Sequence, residues 1–280
     1  MDDSVSEISS KGRLFDLRLR EIIKYRGLIS LLVKRNYATR YKQTILGSAW
    51  LIINPICTVV MNTFIFGTVA GLSTDGIPKP LFYLLGNIVW SVFAECLTCT
   101  SNTFVNNSGL FGKIYFPRLC TPISDAITQI GDFFIKFILL VILSFSYALV
   151  TDYQFEYRFH MLIIPVLVIQ LALTGIGCGI IISSLTTKYR DLQVLVGFGV
   201  SIWMYLTPIV YSIDVIPTQL LSIYLMNPIS PIILMFRYAW FGVGFVPWFH
   251  WGISWVFTIV VLFSGIVIFN HVERTFMDTV

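Results

Sequence analysis

Residues 159–185 read FHMLIIPVLVIQLALTGIGCGIIISSL and contain no Asp, Glu, Lys or Arg. A helix needs roughly 20 apolar residues to cross the hydrocarbon core of a bilayer, so this stretch reads as a membrane span. Outward from it in both directions the reading recurs, at Leu46–Val69, Leu81–Phe104, Ile127–Val150, Val194–Tyr211 and Trp248–Asn270. Composition agrees. Of 280 residues, 56% are apolar and 12% charged, against about 25% charged in a soluble domain, and the mean hydropathy is +0.80. These values exclude a water-soluble domain, a disordered chain and a secreted disulfide scaffold. The sequence describes an all-α membrane protein with six transmembrane helices.

An even number of spans leaves both termini on one face. Ten of the nineteen Lys and Arg residues precede Thr44, and Lys113, Arg118, Lys188, Arg190 and Arg274 fall on the same face. Lys79, Arg158 and Arg237 fall on the other, and Lys136 lies inside a span. The positive-inside rule then places both termini in the cytosol. Residues 1–45 form a cytosolic segment too polar and too long for the head of a cleaved signal peptide. Residues 46–280 form the six-span domain, with a first cytosolic loop over 105–126. Within the N-terminal segment Phe15, Leu19, Ile22 and Ile23 share one helical face, and Ile29, Leu32, Val33 and Tyr37 share another, while Lys34, Arg35 and Lys42 point elsewhere. The pattern predicts a basic amphipathic helix lying against lipid in the membrane interface.

Over 212–247 the apolar runs Leu220–Met226 and Ile229–Phe236 are each too short to cross, and Asn227-Pro228-Ile229-Ser230-Pro231 parts them. Two short helices that dip into the outer leaflet and return fit this pattern. Irregular backbone at that depth must pack on protein or line a wet cavity.

Three ionisable residues lie at membrane depth, where charge is costly and often functional: Glu95 in the second span, Asp132 and Lys136 in the third. The last two stand four apart with the acid first, the better order for an ion pair within one helix, and that pairing is the expected arrangement. The alternative is that one of the three faces a hydrated path or a neighbouring helix. Gly175, Gly179 and Ser183 recur every four residues along the fourth span, which allows close helix approach. Cys57, Cys96, Cys99 and Cys178 fall in apolar runs and read as small buried residues, while Cys120 falls in the first cytosolic loop. His160, His250 and His271 are far apart, without metal-ligand spacing.

Aromatic residues supply 15% of the chain. Tyr211, Trp248 and Trp251 fit an interfacial belt. Trp50, Phe64, Phe66, Trp203 and Tyr205 belong to spans one and five and are candidate pore-lining residues, because aromatic faces stack on the C–H faces of sugars without demanding a fixed hydrogen-bond pattern. For any single one, core or lipid packing is the commoner role. No G-x-x-x-x-G-K-[ST] loop occurs; Gly109-Leu110-Phe111-Gly112-Lys113-Ile114 comes nearest and lacks the spacing and the hydroxyl. The chain is therefore expected to hydrolyse no nucleotide by itself and to hold no metal or cofactor.

Several stretches in order resemble one family. Leu32-Val33-Lys34-Arg35-Asn36, then Arg40-Tyr41-Lys42-Gln43-Thr44-Ile45-Leu46-Gly47-Ser48-Ala49-Trp50 and Asn54-Pro55, are similar to the opening of ABC-2 type permeases that export polysaccharides such as O-antigen, capsule and teichoic acid. Residues 106–118, ending at Phe116-Pro117-Arg118, resemble that family's first cytosolic loop, and Tyr189-Arg190-Asp191-Leu192, Thr207-Pro208 and Asn227-Pro228 follow in order. Where the family often carries an acidic or longer side chain, this chain has Asn106-Asn107-Ser108-Gly109. The resemblance implies a homodimer bound to two copies of a P-loop ATP-binding subunit that carries the ATP and Mg, in the inner membrane, with no nucleic acid involved. It also implies a coupling helix near Asn107–Tyr115, so that Asn107, Gly109, Phe111, Lys113, Ile114, Tyr115 and Arg118 face the ATPase, joined by Arg190 and Asp191 of the second cytosolic loop. The cargo it implies is a lipid-linked polysaccharide on a polyprenyl diphosphate. Arg40 and Lys42 at the cytosolic rim are the residues expected to hold the diphosphate by charge-assisted hydrogen bonds. Other readings are a different lipid or drug cargo on the same scaffold, or a membrane-embedded glycosyl- or acyltransferase. The latter should cluster acids or histidines in one large loop, and none is seen.

Overall fold

The computed structural model describes residues 19–42, 44–111, 116–151, 159–186 and 191–277, and among them every regular element is helical. Near the N-terminus α1 (Leu19–Lys24) leads into α2 (Arg26–Tyr41). The first span begins with a 3₁₀ turn at Gly47–Ala49, continues as α3 (Trp50–Asn62) and ends in a π-helical stretch, Thr63–Val69. Then come α4 (Lys79–Ser101), the short α5 (Thr103–Asn106) and α6 (Ser108–Phe111), and α7 (Cys120–Val150). A 3₁₀ turn, Phe159–Ile163, precedes α8 (Ile164–Thr186), followed by α9 (Leu192–Tyr205). The chain closes with α10 (Thr218–Leu225), α11 (Ser230–Phe241) and α12 (Trp248–Met277).

Among the described residues five helices are long and apolar enough to cross a membrane, and six when the bent pair α10–α11 counts as one span. The 23 residues of α4 reach about 34 Å at 1.5 Å each, enough for a hydrocarbon core of about 30 Å. The fifth expected span is shorter than Val194–Tyr211. Its helix has 14 residues and ends at Tyr205, because Pro208 has no N–H to continue it and disfavours helical backbone at the residue before. The third span begins earlier than expected, at Cys120 instead of Ile127, so the first loop is shorter than 105–126. Pro122 falls in the first turn, where a proline is tolerated, and the polar residues Thr121 and Ser124 are buried.

The predicted re-entrant pair is present as two short helices bent by 100°. Asn227 fixes the bend. Its side chain accepts from Trp203 Nε1 at 3.0 Å and donates to the Leu206 carbonyl and Thr207 Oγ1 at 3.0 and 3.1 Å. From the other side, Ser254 Oγ of α12 donates to the Pro228 carbonyl at 2.6 Å. The pair ends at Gly242, whose φ of 71° is the left-handed conformation that terminates many helices.

At the centre stand α4 and α8. Their backbones approach closely along the small-residue stripe: a Cβ on Gly179 would lie 2.7 Å from the Leu97 carbonyl oxygen, and one on Gly175 would lie 2.8 Å from that of Phe93. The opposite face of α8 is equally tight. A Cβ on Gly177 would lie 2.9 Å from Leu262 N, and one on Gly265 3.0 Å from the Gly177 carbonyl oxygen. A polar ladder joins α8 to α12, with Gln170 Nε2 donating to Ser254 Oγ at 2.9 Å and Thr174 and Thr258 hydroxyls paired at 2.8 Å. Gly179→Ala is expected to destabilise the bundle by roughly 1–3 kcal/mol, the usual effect of forcing one carbon into a filled core. Thermal unfolding in detergent measures it, with Gly197→Ala as the neutral control, since a Cβ there would meet nothing within 4 Å.

Candidate functional site

The ends of α4 are capped by different elements. Near its start, Arg237 of α11 lies 3.7 Å over the Phe82 ring. Toward its end, α2 lies along the first half of α7. Tyr37 Oη donates to the Thr128 carbonyl at 3.0 Å, and Asn36 Nδ2 donates to Asp125 at 2.8 Å. Gly131 leaves the space that the Tyr37 hydroxyl fills. Burial, with Asp132 adding to it, pushes the Tyr37 phenol up to about 12, so it stays a donor at neutral pH. The Ile29–Leu32–Val33–Tyr37 face thus rests partly on protein, with Leu32 buried.

Four charges, three of them within the spans, are paired across elements. Arg40 Nη1 meets Asp132 Oδ2 at 2.7 Å, with the Asp132 side chain only 1% exposed. Burial pulls the Arg40 pKa down, and its neighbours, Asp132 and Glu95 among them, more than reverse that, leaving it above the ordinary arginine value. Lys136 Nζ donates to Glu95 Oε1 and to Ser91 Oγ, both at 3.0 Å. Gln129 joins the two pairs once its amide is oriented to donate to Glu95 and accept from Arg40. The expected Asp132–Lys136 pair within α7 is therefore not made. Each residue finds its partner on another element: Asp132 on α2, Lys136 on α4. Beside this network lies a cavity of about 400 Å³ between α2, α3, α4 and α7, bordered by all four charges and by Trp50 and Trp90.

The remaining candidate residues are dispersed. Lys42 is exposed just beyond α2, Phe64 and Tyr205 are exposed, and Phe66 packs on the core. Trp203 is held in place by Asn227 and by the Phe93 ring, whose centroid is 5.0 Å away. Of the expected ATPase-facing residues, Gly109 is exposed with open space around it and Asp191 is exposed ahead of α9. Asn107 is buried and accepts from Arg35 Nη2 at 2.8 Å. Arg118 is buried too, its guanidinium 5.8 Å above the Phe104 ring. Both serve contacts inside this chain, beneath α2 and against α5, which spacing could not reveal. Phe111 closes α6; Lys113, Ile114, Tyr115 and Arg190 lie outside the described residues. Sequence reasoning did not single out Gln129, Ser91 or Trp90. They look like ordinary span residues until the fold sets them beside Glu95 and Lys136.

Among the spans two helices are the least buried. No residue of α9 is buried, and in α3 only Val59 and Asn62 are. The model of the ABC-2 type transporter family matches residues 27–241, from the start of α2 to the end of α11. The chain belongs to the ABC-2 type transporter family. It is a multi-pass membrane subunit of an ABC transporter, and ATP is hydrolysed in a separate ATP-binding protein with which such a permease associates. The chain is 27% identical over 252 residues to the O-antigen export system permease protein RfbA of Klebsiella pneumoniae, covering 90% of this chain and 94% of that one. It is 28% identical over 203 residues to the protein of the same name from Myxococcus xanthus, covering 72% and 74%. To the polysialic acid transport protein KpsM of Escherichia coli it is 23% identical over 259 residues, covering 90% and 95%. In this ABC-2 permease, then, the paired charges and their cavity sit where α2 joins the spans.

Proposed function

We propose that this permease forms, as a homodimer, the channel of an ATP-driven exporter that moves a polyprenyl-diphosphate-linked polysaccharide from the cytosolic side across the inner membrane. The observation that carries the cargo class is the likeness, over 90% of the chain, to permeases named for O-antigen and polysialic acid. The geometry is consistent with it. The uncovered sides of the first span and α9 hold exposed aromatic and apolar residues such as Val60, Phe64, Phe198 and Tyr205, and a second copy would close them into a wall. Six helices alone enclose too little room for a glycan.

The basic segment and α2 mark the cytosolic end by charge, and α10–α11 the outer mouth. Lys42, exposed beyond α2, and the partly exposed edge of Arg40 form the rim at which the diphosphate is met. Two copies of the ATP-binding subunit would grip the loop around Gly109 and the segment at Asp191, and ATP binding there would shift the loop against α4 and α7. Lys42→Gln is expected to lower export about tenfold, the loss of one charge-assisted contact of roughly 1.4 kcal/mol, with protein level unchanged. Surface glycan per cell and carrier-linked glycan trapped inside measure it. Undiminished surface glycan in cells lacking this chain altogether would end the cargo assignment.

A further inference from the structure

The cavity at the charge network is electrically balanced. Arg40 is committed to Asp132, and Lys136 to Glu95 and Ser91. A doubly anionic phosphate entering it would meet two carboxylates and find both cations engaged. An acyl chain would bury four charges and several amides against hydrocarbon, at a cost of several kcal/mol. A ligand of the opposite kind fits: uncharged, rich in hydroxyl donors, with one apolar face.

The lining asks for that ligand. It presents the Asn54 and Asn87 amides, together with the indoles of Trp50, about half exposed, and Trp90, buried. Asn87 spends only one amide hydrogen, on the Tyr83 carbonyl at 2.9 Å. About 400 Å³ is within the range of small-ligand pockets, roughly 300–1,000 Å³.

We infer that this cavity is a subsite for one neutral sugar ring of the cargo, adjoining the rim at Lys42. In it Asn87 bonds a sugar hydroxyl, and an indole face covers the ring's C–H face. The inference rests on the polysaccharide reading above. It adds that each protomer grips a sugar inside its own bundle, on the inward side of α3 and apart from the outward wall of the first span and α9. The charge pairs leave no net charge to attract phosphate.

The test is photocrosslinking in cells that make their own carrier-linked glycan, with Trp50→p-benzoylphenylalanine at the cavity edge and Tyr205→p-benzoylphenylalanine on α9. The full transporter is purified after illumination and probed for metabolically labelled sugar and for labelled polyprenyl carrier. The expected result is sugar label at position 50 that disappears when glycan synthesis is blocked and only bare carrier remains. Adding Asn87→Leu should lower it about fivefold to tenfold, as for one lost hydrogen bond, at unchanged protein level and partner copurification. Carrier label at position 50 equally strong without glycan would overturn the subsite, which would then hold the lipid diphosphate. Sugar label at 205 but none at 50 would overturn it while leaving the export reading standing. No sugar label at either position, with surface glycan independent of the chain, would remove both.

Discussion

Asp132→Ala should destabilise the folded permease by about 3–5 kcal/mol, because it leaves a partly buried guanidinium without its counter-charge. In detergent this corresponds to roughly 10 °C in apparent melting temperature. The same change should release α2 from α7, since Arg40–Asp132 is the contact nearest the C-terminal end of α2 and the first span begins just beyond it. Arg40→Met combined with Asp132→Leu removes both charges at once. Apolar replacement of a whole buried pair is often neutral, so the double variant should regain most of the lost stability. Export should stay lost in the double variant, because the Arg40 edge of the rim is gone. Equal melting temperatures for the single and double variants would show that the two side chains are not energetically coupled.

Gly109→Glu should separate ATP hydrolysis from transport. Gly109 is exposed, and a Cβ there meets nothing within 4 Å, so the substitution leaves the fold alone and alters only what docks on the loop. A bulky charge at a docking centre removes about 2 kcal/mol or more, which is more than a tenfold loss of productive engagement. Export should fall at least that far while the purified transporter still hydrolyses ATP. Lipid-linked glycan should no longer stimulate that hydrolysis. Retained stimulation would place the contact with the ATPase elsewhere.

The spans were legible because apolar run length is a local property, and so was the bent outer pair, because Asn227-Pro228 and Pro231 punctuate the sequence where the helices break. The helix of the third span reaches back to Cys120, where the polar residues Thr121 and Ser124 are buried by tertiary contact, which apolar run length does not show. The charge pairing failed for a similar reason. Spacing of four makes Asp132 and Lys136 neighbours on one helix, but a guanidinium on α2 and a carboxylate on α4 satisfy them better, and sequence separation carries no sign of that. The stripe Gly175–Gly179–Ser183 was readable by its period, whereas Gly177 and Gly265, each alone on its face, were not. The resemblance set Asn107 and Arg118 toward the ATPase; in the structure both are buried and make contacts within the chain.

The double-sided closeness of α8 has a mechanical result. With backbone against backbone on both flanks and polar rungs crossing to α12, the trio α4–α8–α12 is a keel that cannot slide or roll without steric collision. On the proposed mechanism, strokes delivered at the loop fall on α3 and α9, the least buried of the spans among the described residues. A chemical staple between α4 and α8 should leave the machine running; one that ties α3 to the keel should stall it.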